Sequence, residues 1–309
     1  MKIFTLNTKR SFHEKNLNLT IGNFDGVHLG HQSVIKQLIK ISQSHNFQSA
    51  LLSFNPHPRE FFSTLNETFN IVTPAFKKTL FEKLGLDIYI DFEFDIALAS
   101  LSPDEFIKNI LVEKLSIKNI ILGTDFKFGK DRKGDLLLLK EKSQKYQFNV
   151  TVIKPVIEAS SEQKYSSSII RKQIKKGMFE EVSVALGRYW HMSGVVILGE
   201  QRGQKNGFPT ANLEPGYHIL PLKGVYCVYA FIEDRQYKGI ANFGERPTID
   251  GTKLLLETHI FDFNGDIYGK ELTVEFLTFI RAELKFDNFE KLKEQIKRDI
   301  QTARIYHKI

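Results

Sequence analysis

Short apolar segments alternate with helical patterns through the first half of the chain. The predicted strands span residues 17–21, 49–54, 86–92, 117–122 and 149–153. Pro74 follows Thr73 at a first-turn position, and Gly85 comes directly after that helix. Ser102 and Glu105 form a capping box at the start of another helix. Buried strands joined by crossover helices predict a doubly wound α/β sheet, which binds ligands at the carboxyl ends of its strands.

From about residue 188 onward, the apolar positions recur at every second residue, which is the period of a half-buried strand. The predicted strands span residues 192–198, 224–232, 237–243, 254–263 and 272–280. Tight hairpin signals lie at Glu233-Asp234-Arg235 and at Asn264-Gly265-Asp266. This half is therefore predicted to form an antiparallel β-barrel or a sandwich.

Two helical segments separate these patterns, and each is followed by a glycine, Gly177 and Gly187. We therefore predict two closely joined domains, residues 1–186 and residues 187–309. The length of 309 residues agrees with this division, because a single hydrophobic core usually stops growing near about 250–300 residues.

The chain ends in a predicted amphipathic helix. Asp287 and Glu290 form a capping pair at its start. Apolar residues then recur at three- and four-residue spacing, namely Phe289, Leu292, Ile296, Ile300 and Ala303. We expect this apolar stripe to pack on the barrel.

The composition of the chain indicates which kinds of binding partner to expect, but it says little about any reaction that the protein catalyses. The 43 Lys and Arg against 36 Asp and Glu give a net charge of +7, but the positive residues are spread along the chain. The predicted strands carry no run of alternating aromatic and basic residues, so we expect no nucleic-acid partner. Cys227 is the only cysteine, and the sequence shows neither a secretion signal nor an apolar run that could span a bilayer. We expect a cytoplasmic protein without a membrane partner.

Two histidines stand in a glycine-rich turn after the first predicted strand. His28 and His31 are three residues apart at the start of a helix, where backbone N–H groups and the helix dipole attract phosphate. Two imidazoles at this place can stabilise the charge of a transferred phosphate without forming a covalent intermediate. Metal ligation, or no role at all, is the competing interpretation of an isolated His-x-x-His pair.

The whole turn resembles the ATP-binding signature of the bacterial bifunctional riboflavin kinase/FAD synthetases. The matching positions are Gly22-x-Phe24-Asp25-Gly26-x-His28-x-Gly30-His31. The resemblance implies a Rossmann-like nucleotidyltransferase domain with His28 and His31 as catalytic residues. The residues that it implies for ATP binding in this turn are Gly22, Phe24, Asp25 and Gly30.

Three further segments of the first half match the same family in order. They are Phe54-Asn55-Pro56-His57-Pro58, Gly123-x-Asp125-Phe126-x-Phe128-Gly129 and Ser166-Ser167-Ser168-Ile169-Ile170-Arg171. The residues that the resemblance implies for FMN binding are Phe54, His57, Pro58, Asp125 and Phe128. Those that it implies for the ATP triphosphate are Ser167, Ser168 and Arg171, with Ser168 where the family usually has Thr. A stiff loop, core phenylalanines and ordinary helix N-caps are the structural alternatives.

The second half contains Gly207-Phe208-Pro209-Thr210-Ala211-Asn212, which resembles the riboflavin kinase signature. The resemblance implies that oxygens of Thr210 and Asn212 hold the metal of MgATP, and oxygen ligands suit Mg²⁺. Glu257 matches the catalytic glutamate of the family, a base for the attacking ribityl hydroxyl. The remaining implied residues are Gly203, Gly207, Phe208 and Pro209 for ATP, and Arg281 and Phe286 for flavin.

The resemblance covers nearly the whole chain and implies a bifunctional transferase. The second domain is expected to phosphorylate riboflavin to FMN with MgATP, and the first to adenylylate FMN to FAD with release of pyrophosphate. Gln204 departs from the Arg that the family commonly has at this position. The alternative is a monofunctional His-x-Gly-His nucleotidyltransferase whose barrel is a non-catalytic module.

Overall fold

The computed structural model describes residues 1–63, 68–154, 164–199, 207–246 and 251–309, together with the backbone of residues 247–248. The chain forms two compact units. The first comprises Met1–Asn66 and Pro74–Ser166, and the second comprises Glu67–Thr73 and Ser167–Ile309. The functional boundary between residues 186 and 187 stays a prediction, because a compact unit need not coincide with a functional domain.

The first unit contains a six-stranded parallel sheet, which confirms the doubly wound α/β prediction. In order across the sheet, the strands are β1 (Lys2–Leu6), β4 (Ile88–Glu93), β3 (Gln48–Asn55), β2 (Leu17–Ile21), β5 (Ile117–Gly123) and β6 (Asn149–Ile153). The order reverses between β2 and β5. Strand β1 was not predicted, because it is an edge strand in which only Leu6 is buried.

Helices cover both faces of this sheet. They are α1 (Leu29–His45), α2 (Pro58–Phe61), α3 (Pro74–Lys83), α4 (Ile96–Ala99), α5 (Pro103–Glu105), which continues as a π-helix over Phe106–Lys114, and α6 (Leu136–Tyr146). Successive residues of one strand enter opposite cores: Leu52 packs with one cluster and Leu51 with the other. This two-sided burial explains the nearly continuous apolar runs of the strands.

The second unit is built on a curled six-stranded antiparallel sheet. In order, its strands are β7 (Trp190–Val195), β12 (Glu271–Ala282), β9 (Gly224–Ile232), β10 (Arg235–Thr248), β11 (Gly251–Ile260) and β8 (Ala211–Leu213). The Ile197 N–H donates to the Asn212 carbonyl oxygen (3.0 Å), so the two ends of the sheet meet at one bridge. The barrel prediction is confirmed in this curled form.

One of the two predicted hairpins is wrong. Glu233 and Asp234 join β9 to β10, which pair directly, as expected. Asn264-Gly265-Asp266 lies between β11 and β12, which are not neighbours in the sheet. A local turn signal does not determine which strands pair. The sequence also gave no prediction for β8, which has only three residues.

Within the described ranges, the second unit contains three helices, α7 (Ser167–Lys175), α8 (Phe179–Leu186) and α9 (Phe289–Tyr306). The predicted cap of α9 is wrong, because Asn288 accepts from the Lys291 N–H (3.0 Å) while Asp287 pairs with the Lys291 ammonium (2.8 Å). Ala303 is fully buried in the apolar cluster beneath the helix. The stripe therefore packs on the sheet, except that its first member, Phe289, is exposed.

Residues 68–73, which we call the strap, are bonded into the second unit, although the chain up to Asn66 and from Pro74 to Ser166 belongs to the first. The Thr68 hydroxyl donates to the His218 carbonyl oxygen (2.7 Å). The Trp190 indole N–H donates to the Ile71 carbonyl oxygen (2.7 Å). The strap is thus part of the second unit's hydrogen-bond network.

The capping box of α5 provides a test of the fold. The Ser102 hydroxyl accepts from the Glu105 N–H (3.3 Å), and the Glu105 carboxylate accepts from the Ser102 N–H (2.8 Å). Ser102→Ala is expected to lower the free energy of unfolding by about 1 kcal/mol. Urea unfolding followed by far-UV circular dichroism measures the change. Ser44→Ala, inside α1, is the control, and an equal loss there would contradict the capping argument.

Candidate active sites

The chain leaves β2 through a left-handed turn and then enters α1. Phe24, Gly26 and Val27 have φ angles of 49°, 82° and 42°. A non-glycine residue in this region costs about 1–3 kcal/mol, so the surroundings must hold the turn in place. The turn follows β2, where the strand order reverses, and this is the place where doubly wound sheets bind ligands.

Two side chains from helices hold the ends of this turn. The Gln32 amide donates to the Val27 carbonyl oxygen (3.0 Å). The Lys77 ammonium donates to the Asn23 carbonyl oxygen (3.2 Å) and to the Ser53 hydroxyl (3.1 Å). Sequence reasoning did not find Lys77, because nothing in the pattern of α3 separates it from the other lysines of that helix.

His28 is the N-cap of α1 and not a residue of its first turn. Its Nδ1 accepts from the His31 N–H (3.2 Å), so a neutral His28 carries its proton on Nε2 and can donate from there. The two imidazole rings stack, with centroids 3.6 Å apart and an interplanar angle of 19°. A Cβ added at Gly30 would lie 3.1 Å from the His28 ring, which explains the glycine.

The other residues predicted to bind ATP also lie in or beside the turn. The Gly22 N–H donates to the Leu52 carbonyl oxygen (3.0 Å) and fixes the start of the turn. The Phe24 ring packs on His31, with centroids 4.9 Å apart. Asp25 is buried. The structure therefore brings Gly22, Phe24 and Asp25 close to the stacked histidines.

Phe54 belongs to an aromatic cluster where β3 and β4 end. The members of the cluster are Phe54, Phe61, Phe62 and Phe94. Phe94 lies at the centre, with its ring centroid 5.6 Å from Phe54 and 5.3 Å from Phe61. Phe62 is 67% exposed, so the cluster presents an aromatic surface to solvent. The sequence gave no sign that Phe94 would join residues forty positions earlier in the chain.

His57 and Pro58 start the short helix α2. The His57 Nδ1 accepts from the Arg59 N–H (3.0 Å), and Pro58 is the first helical residue. The Asn55–Pro56 peptide bond is cis. These contacts give both residues a structural role, and their predicted contact with FMN stays a prediction.

The segment after β5 contains two predicted FMN residues in different surroundings, the exposed Asp125 and the buried Phe128. The Asp125 carboxylate pairs with the Lys164 ammonium (2.5 Å), and this hydrogen bond lowers the pKa of Asp125. Phe128 is only 7% exposed and packs on Phe106, with centroids 5.6 Å apart. A Cβ at Gly134 would lie 2.7 Å from the Phe128 ring. Phe128 therefore packs in the core, and its predicted contact with FMN stays a prediction.

The predicted triphosphate residues Ser167, Ser168 and Arg171 belong to the second unit. Ser167 and Ser168 are the first two residues of α7. The Arg171 Nε donates to the Phe69 carbonyl oxygen (2.9 Å), and the guanidinium lies 4.5 Å from the centroid of the Phe69 ring. Arg171 thus holds the strap in the second unit.

The predicted kinase signature lies just before β8. Gly203 and Gln204 fall outside the described residues, whereas Gly207, Phe208 and Pro209 are described. The Pro209 carbonyl oxygen lies 2.8 Å from Nδ1 of His259, so this segment is bound to β11.

Glu257 lies in a row of polar side chains across three strands. Asn212 on β8 and Asn242 on β10 are its direct partners on either side. Directly paired residues of neighbouring strands point to the same face of a sheet. The register therefore places Asn212, Glu257 and Asn242 side by side, and Thr210 immediately precedes β8.

Arg246 pairs with Glu257. Its Nε and Nη2 donate to one carboxylate oxygen of Glu257 (2.8 and 2.5 Å), and its Nη1 donates to Glu283 (3.3 Å). The Asn242 amide, oriented by its hydrogen bonds, accepts from Arg246. The sequence alone does not show this pairing, because Arg246 and Glu257 lie on different strands, 11 positions apart in the chain.

The two predicted flavin residues of the second unit differ in their surroundings. The Arg281 guanidinium donates to both carboxylate oxygens of Asp299, with distances of 2.6–3.0 Å. Asp299 also accepts from the Gln295 amide (2.8 Å) and is buried. Arg281 therefore ties β12 to α9. Phe286 is half-buried in the irregular segment between them.

Within the described ranges, no three His, Cys, Asp or Glu side chains are placed to share one metal ion. A Mg²⁺ ion in the second unit would therefore take few ligands from the protein. The oxygens of Thr210 and Asn212 could supply them, and substrate phosphates would supply others. No helix in the described part of the chain is long and apolar enough to cross a membrane.

Comparison with known proteins finds a separate family model for each half of the chain. The FAD synthetase family model matches residues 11–169, and the riboflavin kinase family model matches residues 186–307. The bifunctional riboflavin kinase/FMN adenylyltransferase of Haemophilus influenzae is 38% identical over 289 residues, 93% of each chain. The chain belongs to the bifunctional riboflavin kinase/FMN adenylyltransferase family.

Two further comparisons extend this family match. The bifunctional riboflavin kinase/FMN adenylyltransferase of Escherichia coli is 34% identical over 93% of this chain and 91% of its own. A crystal structure described as a macrolide-efflux protein from Streptococcus pneumoniae superposes with a TM-score of 0.87 and 29% identity. That superposition covers 98% of this chain and 99% of the other.

The Arg281–Asp299 pair provides a test of the second unit. Arg281→Met is expected to lower the free energy of unfolding by about 3–5 kcal/mol, because it leaves a buried carboxylate without its cation. Fluorescence of Trp190, the single tryptophan, reports unfolding of this unit. Lys291→Met removes the exposed pair with Asp287 and is expected to cause no measurable loss. Equal losses in the two variants would contradict the argument.

Proposed function

We propose that this chain makes both flavin cofactors. Residues 187–309 phosphorylate riboflavin to FMN with MgATP, and residues 1–186 join FMN to the adenylyl group of ATP, releasing pyrophosphate. The observation that supports this most is that each family match falls largely on a different compact unit with its own candidate site. Purified protein supplied with riboflavin, ATP and Mg²⁺ is expected to form FMN first and FAD later; absence of both would refute the proposal.

In the adenylyl transfer, an FMN phosphate oxygen attacks the α-phosphorus of ATP and the bond to pyrophosphate breaks. His28 donates from Nε2 to the charge that develops on the phosphate, together with His31. Backbone N–H groups at the start of α1 add to this field. Gly22, Phe24, Asp25 and Gly30 shape the nucleotide site. Ser167, Ser168 and Arg171 bind the triphosphate.

FMN is held at the carboxyl ends of the neighbouring strands. The exposed aromatic cluster around Phe54 supports this, because flat rings stack favourably on aromatic side chains. The remaining residues proposed for FMN are His57, Pro58, Asp125 and Phe128.

In the kinase reaction, Glu257 accepts the proton of the ribityl hydroxyl as that oxygen attacks the γ-phosphorus of ATP. Its carboxylate must first turn from Arg246, which donates to it twice in the described state. Thr210 and Asn212 direct oxygens at the Mg²⁺ of the substrate MgATP, and this neutral donor set fits a cation that takes its other ligands from phosphates and water.

The other residues of the kinase site are proposed from the same signature. Gly203, Gly207, Phe208 and Pro209 bind ATP, and Arg281 and Phe286 contact flavin. A cytoplasmic location and the lack of a nucleic-acid partner stay predictions from the sequence. The monofunctional alternative depended on Gln204, which lies outside the described residues, so mutagenesis must decide it.

Glu257→Gln separates the bifunctional proposal from the monofunctional alternative. FMN formation from riboflavin is expected to fall by about 10²–10⁴-fold, because the amide cannot accept the proton. Adenylylation of supplied FMN is expected to persist. Chromatography of the two flavin products measures both rates in one sample. A wild-type chain that lacks kinase activity would favour the non-catalytic barrel, whereas a variant that retains the activity would exclude Glu257 as the base.

His28→Ala tests the candidate site of the first unit, and here the adenylylation is expected to be lost while the kinase activity is kept. FAD formation from supplied FMN is expected to fall by about 10²–10³-fold, because a donor to the developing charge is lost. FMN formation from riboflavin is expected to remain near the wild-type rate. His45→Ala, at the far end of α1, is the matched control. Unchanged FAD formation in His28→Ala would exclude the proposed role.

A further inference from the structure

Lys77 is a lysine of α3 to which neither signature gives a role. Its ammonium donates to the Asn23 carbonyl oxygen (3.2 Å) and to the Ser53 hydroxyl (3.1 Å). Ser53 is fully buried near the end of β3, and Asn23 follows β2. The ammonium therefore lies beneath the glycine-rich turn, where the carboxyl ends of two strands meet.

The charge of Lys77 is buried among acids that do not neutralise it by direct pairing. Burial lowers its pKa, and the nearby carboxylates of Asp25 and Asp91 act in the opposite sense. Asp91 is paired with Lys78 instead (3.3 Å). Lys77 donates instead to the Asn23 carbonyl oxygen and to the Ser53 hydroxyl, so its ammonium contacts the turn directly.

The adjacent lysine makes a natural comparison. Lys78 pairs with Asp91 on β4 and lies 5.7 Å from the centroid of the Tyr89 ring. Its contacts fasten α3 to the sheet and do not involve the turn. Two neighbouring lysines of one helix thus have separate partners, one pair structural and the other at the candidate active site.

The hydrogen bond from Lys77 to Asn23 lies where the backbone of the turn enters its unfavourable left-handed conformation. Asn23 directly precedes Phe24, the first residue with a left-handed φ (49°). Gln32 holds the other end of the turn through the Val27 carbonyl oxygen (3.0 Å). His28 follows Val27 and begins α1, so any change in the turn changes the position of the imidazole.

We propose that Lys77 is a positioning residue for adenylyl transfer, which holds the turn so that His28 and the neighbouring N–H groups meet the ATP phosphates. The proposal rests on the function proposed for the first unit. No bond to Lys77 forms or breaks in the reaction. Its role is exerted through Asn23 and Ser53.

Lys77→Met keeps the unbranched side chain up to the position of Cε and removes the ammonium with its charge. The kcat of FAD formation from supplied FMN is expected to fall by about 10²-fold, because a small misplacement of catalytic groups has effects of this size. The KM for FMN is expected to change by less than about 2-fold, and the kinase rate to stay at the wild-type value. A uniform loss of binding would appear in KM instead.

Chemical rescue tests the charge itself. Lys77→Ala leaves a space that n-propylammonium matches in length and charge. Addition of n-propylammonium is expected to restore part of the kcat, whereas n-propanol of the same size is expected to have no effect. Equal rescue by both compounds, or by neither, would assign Lys77 a packing role and overturn the proposal.

Two lysines of the same helix serve as controls. Lys83→Met changes an exposed residue in the last turn of α3 and is expected to leave kcat and the thermal midpoint unchanged. Lys78→Met is expected to lower the thermal midpoint while kcat is retained. If Lys78→Met loses as much kcat as Lys77→Met, loss of stability explains both and the proposal fails.

Ser53→Ala covers the case in which Lys77→Met unfolds the first unit. It removes one acceptor of Lys77 without introducing an unpaired charge. A lower kcat for FAD formation at an unchanged thermal midpoint supports the proposal, and an unchanged kcat overturns it. If the wild-type chain forms FMN but no FAD, the function proposed for the first unit fails, whatever the variants show.

Discussion

The left-handed turn between β2 and α1 is the constraint on which the first unit depends. The strand order reverses beside β2, so the turn opens where crossover helices leave the sheet on opposite sides. Its unfavourable φ angles persist because two side chains donate hydrogen bonds to its carbonyl oxygens, Gln32 from α1 and Lys77 from α3. One imidazole, His28, caps α1 through Nδ1, which accepts from the His31 N–H (3.2 Å).

In the second unit, strand register has the corresponding importance. Glu257 stands between Asn212 and Asn242 only because β11 pairs with β8 and β10 in this alignment. A slip of one residue would move Glu257 to the other face of the sheet. Arg246 occupies the carboxylate in the described state, which avoids an unpaired acid in the row.

Most of the fold could be predicted from local signals. The strands at residues 17–21, 149–153 and 224–232 have the predicted bounds, since buried runs flanked by turns are visible in sequence. The edge strand β1 was missed because only Leu6 in it is buried, and β8 was missed because it has only three residues. Asn264-Gly265 was misread as a hairpin, because the pairing of β12 with β7 and β9 is decided by distant residues.

In the candidate sites, too, local sequence signals do not reveal contacts between residues that are distant in the chain. Family signatures led to His28, His31 and Glu257, and the structure gives each a defined environment. Lys77 and Arg246 are recognised only by what they contact, and those partners lie 54 and 11 positions away in the chain. A single sequence does not reveal such pairings, because no short-range periodicity connects the two residues.

The strap has a consequence for how this chain can be divided. Because residues 67–73 belong to the second unit, the polypeptide passes between the units three times, after residues 66, 73 and 166. Cleavage at one interdomain bond would not release two complete halves. A fragment that begins at residue 187 would lack the Ile71 carbonyl that Trp190 needs, together with α7 and its Arg171. The second unit is therefore completed by a segment that the sequence places inside the first, so no single cut in the polypeptide separates the two units.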